Sequence, residues 1–146
     1  MSVNLIGKER LGSVLDESQR ITVLNLTSDG GLTINAFALA LHGSDGTVRY
    51  RASVGAPLAP DDTFVIDDDR PVEEKIVAVE AFMRLTDSAL ALIIDAYVKL
   101  EVDGNATSLG DIELGVSNLD DEEVEDATPI DEAPRYAVFA RGTGTD

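Results

Sequence analysis

Between Ile76 and Val102 apolar and polar residues alternate almost without interruption, and that period constrains the fold more than any other feature of the chain. Val77, Val79, Ala81, Met83 and Leu85 share one parity; beyond Thr86-Asp87-Ser88, which can turn the chain, Leu92, Ile94, Ala96, Val98 and Leu100 do the same. Successive side chains of a strand point to opposite faces, so a period of two describes a strand with one face in a core. Ile76 to Leu85 and Leu90 to Val102 are similar in length, and Asp103-Gly104 ends the second as a strand would end, so they read as a strand pair. A helix over 71–94 competes with this reading. Asp69, Pro71, Glu73 and Glu74 resemble a helix start, and Glu73, Glu80, Arg84, Asp87 and Asp95 fall at helical spacing. The first alternative makes the protein all-β, the second α+β.

The remaining segments favour strands. Arg20 to Ser28 is rich in Ile, Thr, Val and Leu, and Ser28-Asp29-Gly30-Gly31 is a turn signal, so a hairpin is expected with Gly31 to Leu41, where Leu32, Ile34, Ala36, Ala38 and Ala40 share a parity. His42-Gly-Ser-Asp-Gly46 turns the chain again, its Asp-Gly supplying the positive φ that reversals need. Thr47 to Val54 then alternates, Val48, Tyr50, Ala52 and Val54 facing inward and Thr47, Arg49, Arg51 and Ser53 forming the polar face. Thr63 to Ile66, Asp111 to Val116 and Arg135 to Arg141 are further strands. Residues 1–19, with scattered apolar positions broken by Gly7 and Gly12, suit an N-terminal arm. Asn118 to Pro134 holds eight carboxylates between Asp120 and Glu132 and reads as a solvated loop or extended arm. The expected organisation is an arm over 1–19, an antiparallel β-sandwich or jelly roll over 20–117, and an acidic loop with a final strand over 118–146.

Charge says what solvent this sandwich meets. Twenty-eight Asp and Glu against eleven Lys and Arg leave a formal charge of −17 on 146 residues. Carboxylates crowded on a compact surface repel one another, and that repulsion is screened in strong salt, where the Debye length falls to about 3 Å at 1 M. Only Lys8, Lys75 and Lys99 are lysines. A halophilic origin is expected, and nucleic-acid binding is disfavoured because phosphate recognition needs a basic footprint. There is no cysteine, hence no disulfide frame or thiolate site. The N-terminal residues lack the apolar segment of a signal peptide and no run approaches the roughly 18 apolar residues of a membrane span, so a soluble chain made in the cytoplasm is expected.

Candidate chemistry is sparse. His42 is the only imidazole and reads as a turn residue without a catalytic role, since there is no cysteine for it to activate and no motif places a serine. Asp61, Asp62, Asp67, Asp68 and Asp69 offer hard oxygen ligands for Ca²⁺ or Mg²⁺ but lack EF-hand spacing, so a hydrated acidic turn is favoured, as for Asp120 to Asp126. Gly142-Thr-Gly-Thr-Asp146 follows a strand and opens no helix, which excludes a phosphate loop. Asn25-Leu-Thr27 and Asn105-Ala-Thr107 meet the N-glycosylation rule, the first inside a strand and inert, the second in a loop. Arg49 and Arg51 either pair with carboxylates on an adjacent strand or make a salt-bridged subunit contact. No catalytic, cofactor or metal site is assigned.

Asp-Gly-Thr-Val-Arg-Tyr-Arg (45–51), Ala-Pro-Leu-Ala-Pro-Asp-Asp-Thr-Phe-Val-Ile-Asp (56–67) and Asp-Ala-Tyr-Val-Lys-Leu-Glu-Val (95–102) together resemble the small β-sandwich virion proteins of tailed and icosahedral viruses. The likeness is one of pattern over roughly residues 20–102, and Glu73-Glu74-Lys75 stands where a glycine-containing turn would be expected. It implies a non-enzymatic virion structural protein of a halophilic virus, at a capsid vertex or decorating the shell, that self-associates as a ring or trimer and contacts other virion proteins. A tail tube, collar or baseplate component is the alternative. A cellular ligand-binding sandwich is the second alternative, poorly supplied if most of the aromatic residues face inward.

Overall fold

A computed structural model describes residues 19–28, 31–53, 57–68, 75–87, 92–104, 106–125 and 127–144. Nine strands follow one another: β1 (Gln19–Leu26), β2 (Leu32–Gly43), β3 (Val48–Ala52), β4 (Thr63–Asp68), β5 (Ile76–Asp87), β6 (Leu92–Glu101), β7 (Ile112–Asn118), β8 (Thr128–Ile130) and β9 (Ala133–Gly142). They form a five-stranded sheet, β4-β1-β7-β9-β8, and a four-stranded sheet, β3-β2-β5-β6. The two pack face to face as the expected all-β sandwich. Ile21 and Val23 of β1 and Ile112, Leu114 and Val116 of β7 supply one side of the core; Leu39, Leu41, Ala81, Met83, Leu85 and Ile94 supply the other.

The 76–102 stretch is a strand pair, in register from Ala78 opposite Glu101 to Asp87 opposite Leu92. No helix occurs among the described residues, so the helical alternative over 71–94 is set aside. The reason is burial: Val79, Ala81, Met83 and Leu85 are all buried while Phe82 and Arg84 stand in solvent, a division that only a period of two produces. The proposed arm over 1–19 lies outside the described residues except for Gln19. Gln19 opens β1 and links both sheets: its Nε2 donates to the Gly110 carbonyl (2.7 Å) and its Oε1 accepts from Ile76 N (2.7 Å).

Three local expectations are corrected. First, β1 and β2 are not a hairpin. β1 pairs with β4 and, in parallel, with β7, whereas β2 pairs with β3 and β5. The chain changes sheets after Leu26, and side chains take over where a ladder would have run. Asn25 Nδ2 donates to the carbonyls of Leu32 (2.8 Å) and Leu58 (3.0 Å), and Asn25 Oδ1 accepts from Thr27 N (3.2 Å) and Oγ1 (2.7 Å). Second, β2 does not keep one parity. Its register against β5 shifts between Ile34 and Ala36, a bulge that leaves Asn35 as the extra residue and reverses the faces beyond it. Phe37, Leu39 and Leu41 thereby enter the core, burying more apolar surface than Ala36, Ala38 and Ala40 would. Third, β3 is turned over. Arg51 lies opposite Leu39 and Arg49 opposite Leu41, so the arginines face inward and Tyr50 outward.

The inward arginines close one side of the sandwich. Asp68, fully buried at the end of β4, lies 3.6 Å from Arg49 Nη1 and 3.5 Å from Arg51 Nη2. Of the two readings for this pair, the intramolecular one holds, although the partner strand belongs to the opposite sheet. Close packing also explains one glycine: a Cβ at Gly115 would run into the Leu24 carbonyl of the parallel neighbour β1. The acidic stretch 118–134 is anchored rather than free, with Val124 and Ile130 buried and β8 hydrogen-bonded to β9. Asn25→Ala removes a buried amide whose donors and acceptor are all engaged, and is expected to lower the unfolding free energy by about 2 to 3 kcal/mol, read from the midpoint of urea denaturation at an unchanged m-value.

Candidate functional site

The outward face of the four-stranded sheet is assembled by the bulge in β2. Beyond Asn35 that strand presents Ala36, Ala38 and Ala40 to the outside, and the registers align them in rows. One row is Ala52, Ala38, Phe82 and Tyr97; the next is Tyr50, Ala40, Glu80 and Lys99; on the other side lie Ala36, Arg84 and Asp95. Small residues on β2 leave the larger neighbours standing proud. Tyr50 is 73% exposed, Phe82 52% and Tyr97 47%, and a shallow depression of about 410 Å³ lies over Ala36 and Ala38 beside Phe82 and Arg84. Phe82 and Tyr97 pack with ring centroids 4.9 Å apart at 46°, a tilted arrangement favoured by ring quadrupoles.

Polar groups on this face are paired with one another. Glu80 is the hub: Tyr97 OH donates to its Oε2 (2.7 Å), and His42 Nε2 lies 2.9 Å from its Oε1. The Tyr97 hydrogen bond, with that of His42 second, holds the Glu80 carboxyl below its ordinary range, and the same bond pushes the Tyr97 phenol up. Arg84 donates twice to Asp95, at 2.9 and 3.2 Å, which lowers the Asp95 carboxyl and raises the guanidinium. Lys99 Nζ is 3.4 Å from Glu101. A carboxylate stabilised as its anion is a weaker base, so this arrangement favours recognition over proton transfer. Three carboxylates (Glu80, Asp95, Glu101) face two cations (Arg84, Lys99) and His42, close to balance in a chain of net charge −17.

The opposite outer surface is covered in part, over β7 and β9, by the chain itself. Arg141 of β9 donates to Glu113 Oε1 (2.8 Å) on β7 and to the Glu123 carbonyl (2.9 Å), and its guanidinium lies 5.3 Å from the Phe139 ring. Val124 and Phe139 line one shallow pocket there. Part of the acidic segment is thus folded onto the five-stranded sheet, while the four-stranded sheet is bare among the described residues.

The other sequence candidates resolve into separate structural duties. Asp61 and Asp62 lie at one end of β4 and Asp67 and Asp68 at the other, about 16 Å apart for five residues of strand, so they do not converge on one ion. Asp62 Oδ2 accepts from Ala59 N (3.1 Å), and Asp67 lies 3.5 Å from Arg20. Asp69, Asn105 and Asp126 lie outside the described residues, as do Thr145 and Asp146. Asp121 Oδ1 accepts from Glu123 N in an exposed turn. Thr143 and Gly144 fasten the end of β9 to 109–111, through Asp111 N donating to Thr143 Oγ1 (3.0 Å) and Gly144 N to the Leu109 carbonyl (2.8 Å). Asn25 is buried with its amide fully engaged. No three His, Asp or Glu side chains come together as a metal site among the described residues. What the sequence reading missed is the aromatic face, though its signal was present: Phe82 stands between Glu80 and Arg84, and Tyr97 between Asp95 and Lys99, each on the polar parity of its strand.

The chain matches no known protein family, no curated protein and no solved structure.

The Glu80 network has a pH signature. A carboxyl lowered in the folded state contributes stability above the ordinary carboxylate range, about 4.3 for glutamate, and that contribution is lost as the pH falls through the folded value. In a ¹³C-detected titration Glu80 is expected to titrate below ordinary glutamate, and Tyr97→Phe, which removes the largest cause, moves it upward. An unmoved Glu80 in that variant would show that the phenol does not hold the carboxylate.

Proposed function

We propose that this protein is a non-enzymatic assembly module for concentrated salt, with the outward face of β3-β2-β5-β6 as its contact surface. The observation that carries the reading is the exposure of Tyr50, Phe82 and Tyr97 together on a face whose charges nearly cancel. Contiguous exposed apolar surface marks contact sites in soluble proteins, and interface cores are enriched in aromatic residues and depleted in charge. Elsewhere the excess of carboxylate keeps copies apart and hydrated, so that association is directed to the one surface where it costs least. The resemblance to virion proteins gives this role a setting, the shell or tail of a virus that multiplies in brine.

A ligand-binding sandwich is the second reading, favoured by the same aromatic side chains, since Tyr97 and Tyr50, the latter placed on an inner face by the sequence alone, offer exposed planar surfaces. The two separate by size. Light scattering behind a sizing column, in about 3 M KCl and at low salt, is expected to show assemblies larger than a dimer in the concentrated salt, lost in Tyr50→Ser with an unchanged circular dichroism spectrum. A protein that stays monomeric or dimeric in both conditions overturns the assembly reading in favour of the ligand-binding one.

A further inference from the structure

The edge of the four-stranded sheet, as distinct from its face, is complementary to itself. β6 is the last strand in the order β3-β2-β5-β6, and ten residues long. Val102 N donates to the Val77 carbonyl at 2.9 Å, one step beyond the register pair of Glu101 with Ala78. Alternation along an antiparallel ladder therefore turns the main-chain groups of the even-numbered residues toward β5. Those of Ile93, Asp95, Tyr97, Lys99 and Glu101 are turned toward the open edge, where no strand is paired with them among the described residues.

We propose that β6 pairs antiparallel with β6 of a second copy about a two-fold axis at Tyr97, joining two four-stranded sheets into one of eight. About that residue the strand is its own complement. Asp95 falls opposite Lys99 of the second copy and Lys99 opposite its Asp95, while on the inner face Ala96 meets Val98 and Ile94 meets Leu100. The registers within each copy, Arg84 with Asp95, Phe82 with Tyr97 and Glu80 with Lys99, extend the match across the joint. One row becomes Arg84, Asp95, then Lys99 and Glu80 of the second copy, alternating in sign throughout; the central row becomes four aromatic rings. Other registers do worse: an axis at Asp95 opposes that carboxylate to itself, and an axis at Lys99 opposes the two ammonium groups. Lysine in an edge strand ordinarily discourages pairing, but here a carboxylate sits where the mirror-related lysine arrives.

The geometry leaves room for the second strand. Tyr97 leans over Phe82, with its hydroxyl on Glu80, away from the open edge. Ala96, Val98 and Leu100 are only partly buried, and their unfinished burial would be completed by the second copy. A cleft of about 300 Å³ opens between Asp95-Ala96-Tyr97 and the Thr128–Glu132 segment of the other sheet. Because each copy carries −17, the pairing strengthens with salt. The inference goes beyond the contact-surface reading, fixing the partner as a second copy and the contact as the edge; Tyr50 lies on β3, at the far side of the sheet.

The test is charge exchange across the axis, followed by sedimentation velocity in about 1 M KCl, where a Debye length of about 3 Å suppresses repulsion between whole copies. The wild type is expected to be dimeric at least. Asp95→Lys and Lys99→Glu, each opposing like charges twice across the joint, are expected to weaken dimerisation tenfold or more. An equimolar mixture of the two variants is expected to recover it, since every opposed pair is then of opposite sign. Lys99→Pro removes an N–H that β5 does not use and is tolerated in an edge strand; it is expected to keep the circular dichroism spectrum and lose the dimer. A monomeric wild type, variants that dimerise as the wild type does, or a mixture that stays monomeric would each overturn the pairing. Tyr50→Ser is expected to leave this dimer intact, so the edge and the face fail separately.

Discussion

The amide of Asn25 is the interaction on which the two-layer arrangement turns. A chain that passes from one sheet to the other must give up ladder hydrogen bonds at the corner, and each buried main-chain group left without a partner costs about 1 to 3 kcal/mol. Asn25 meets that need from a single position: two donors reach Leu32 and Leu58 and its oxygen takes both groups of Thr27. Its own main chain meanwhile bonds to Asp61 and Asp62. β1, the start of β2 and the segment leading into β4 are therefore fixed relative to one another before any core side chain is considered. The same engagement leaves the amide nitrogen no freedom to accept a sugar.

Charge is distributed according to layer. Asp68 can be buried because two arginines on the facing sheet are turned inward to meet it, an arrangement that also covers the gap between β3 and β4. On the five-stranded sheet Arg141 holds part of the acidic segment down, so carboxylate-rich chain shields apolar strand. Among the described residues the four-stranded sheet receives no such cover, and there the charges are paired within the face itself. Among the described residues one face is thus partly covered by the chain and the other is bare, and it is the bare one whose polar groups are mutually satisfied.

Much of the strand content was legible in the sequence, because period-two patterning and Asp-Gly or Pro punctuation act locally. The pair over 76–102 was readable from the alternation of its two halves, their similar length and the Asp103-Gly104 stop, although the spacing of Glu73, Glu80, Arg84 and Asp87 left a helix open. What was not legible came from non-local causes. The bulge at Asn35 shifts parity by one, and nothing in Ile34-Asn35-Ala36 announces it; its cause is the larger burial available to Phe37, Leu39 and Leu41. The inward turn of Arg49 and Arg51 depends on Asp68, nineteen and seventeen residues away in the other sheet, whereas alternation alone put them on the polar face of their strand. Pairing β1 with β7 rather than β2 depends on a partner some ninety residues distant. The exposed aromatic face was readable from the neighbours of Phe82 and Tyr97, but large apolar residues are read as core by default.

The parallel contact between β1 and β7 also orders events in time. A chain emerging amino end first has all four strands of one sheet in hand by Glu101. β1, made first, has only the edge strand β4 beside it until β7 appears, and β9 completes that layer last. Between Glu101 and Gly142 the finished sheet therefore displays Leu39, Leu41, Met83 and Ile94 with only β1 and β4 of the facing layer available to cover them. Exposed apolar surface of that kind is where newly made chains stick to one another, more so in strong salt, so the interval between Glu101 and Gly142 is the stretch of this protein's life most in need of speed or shelter.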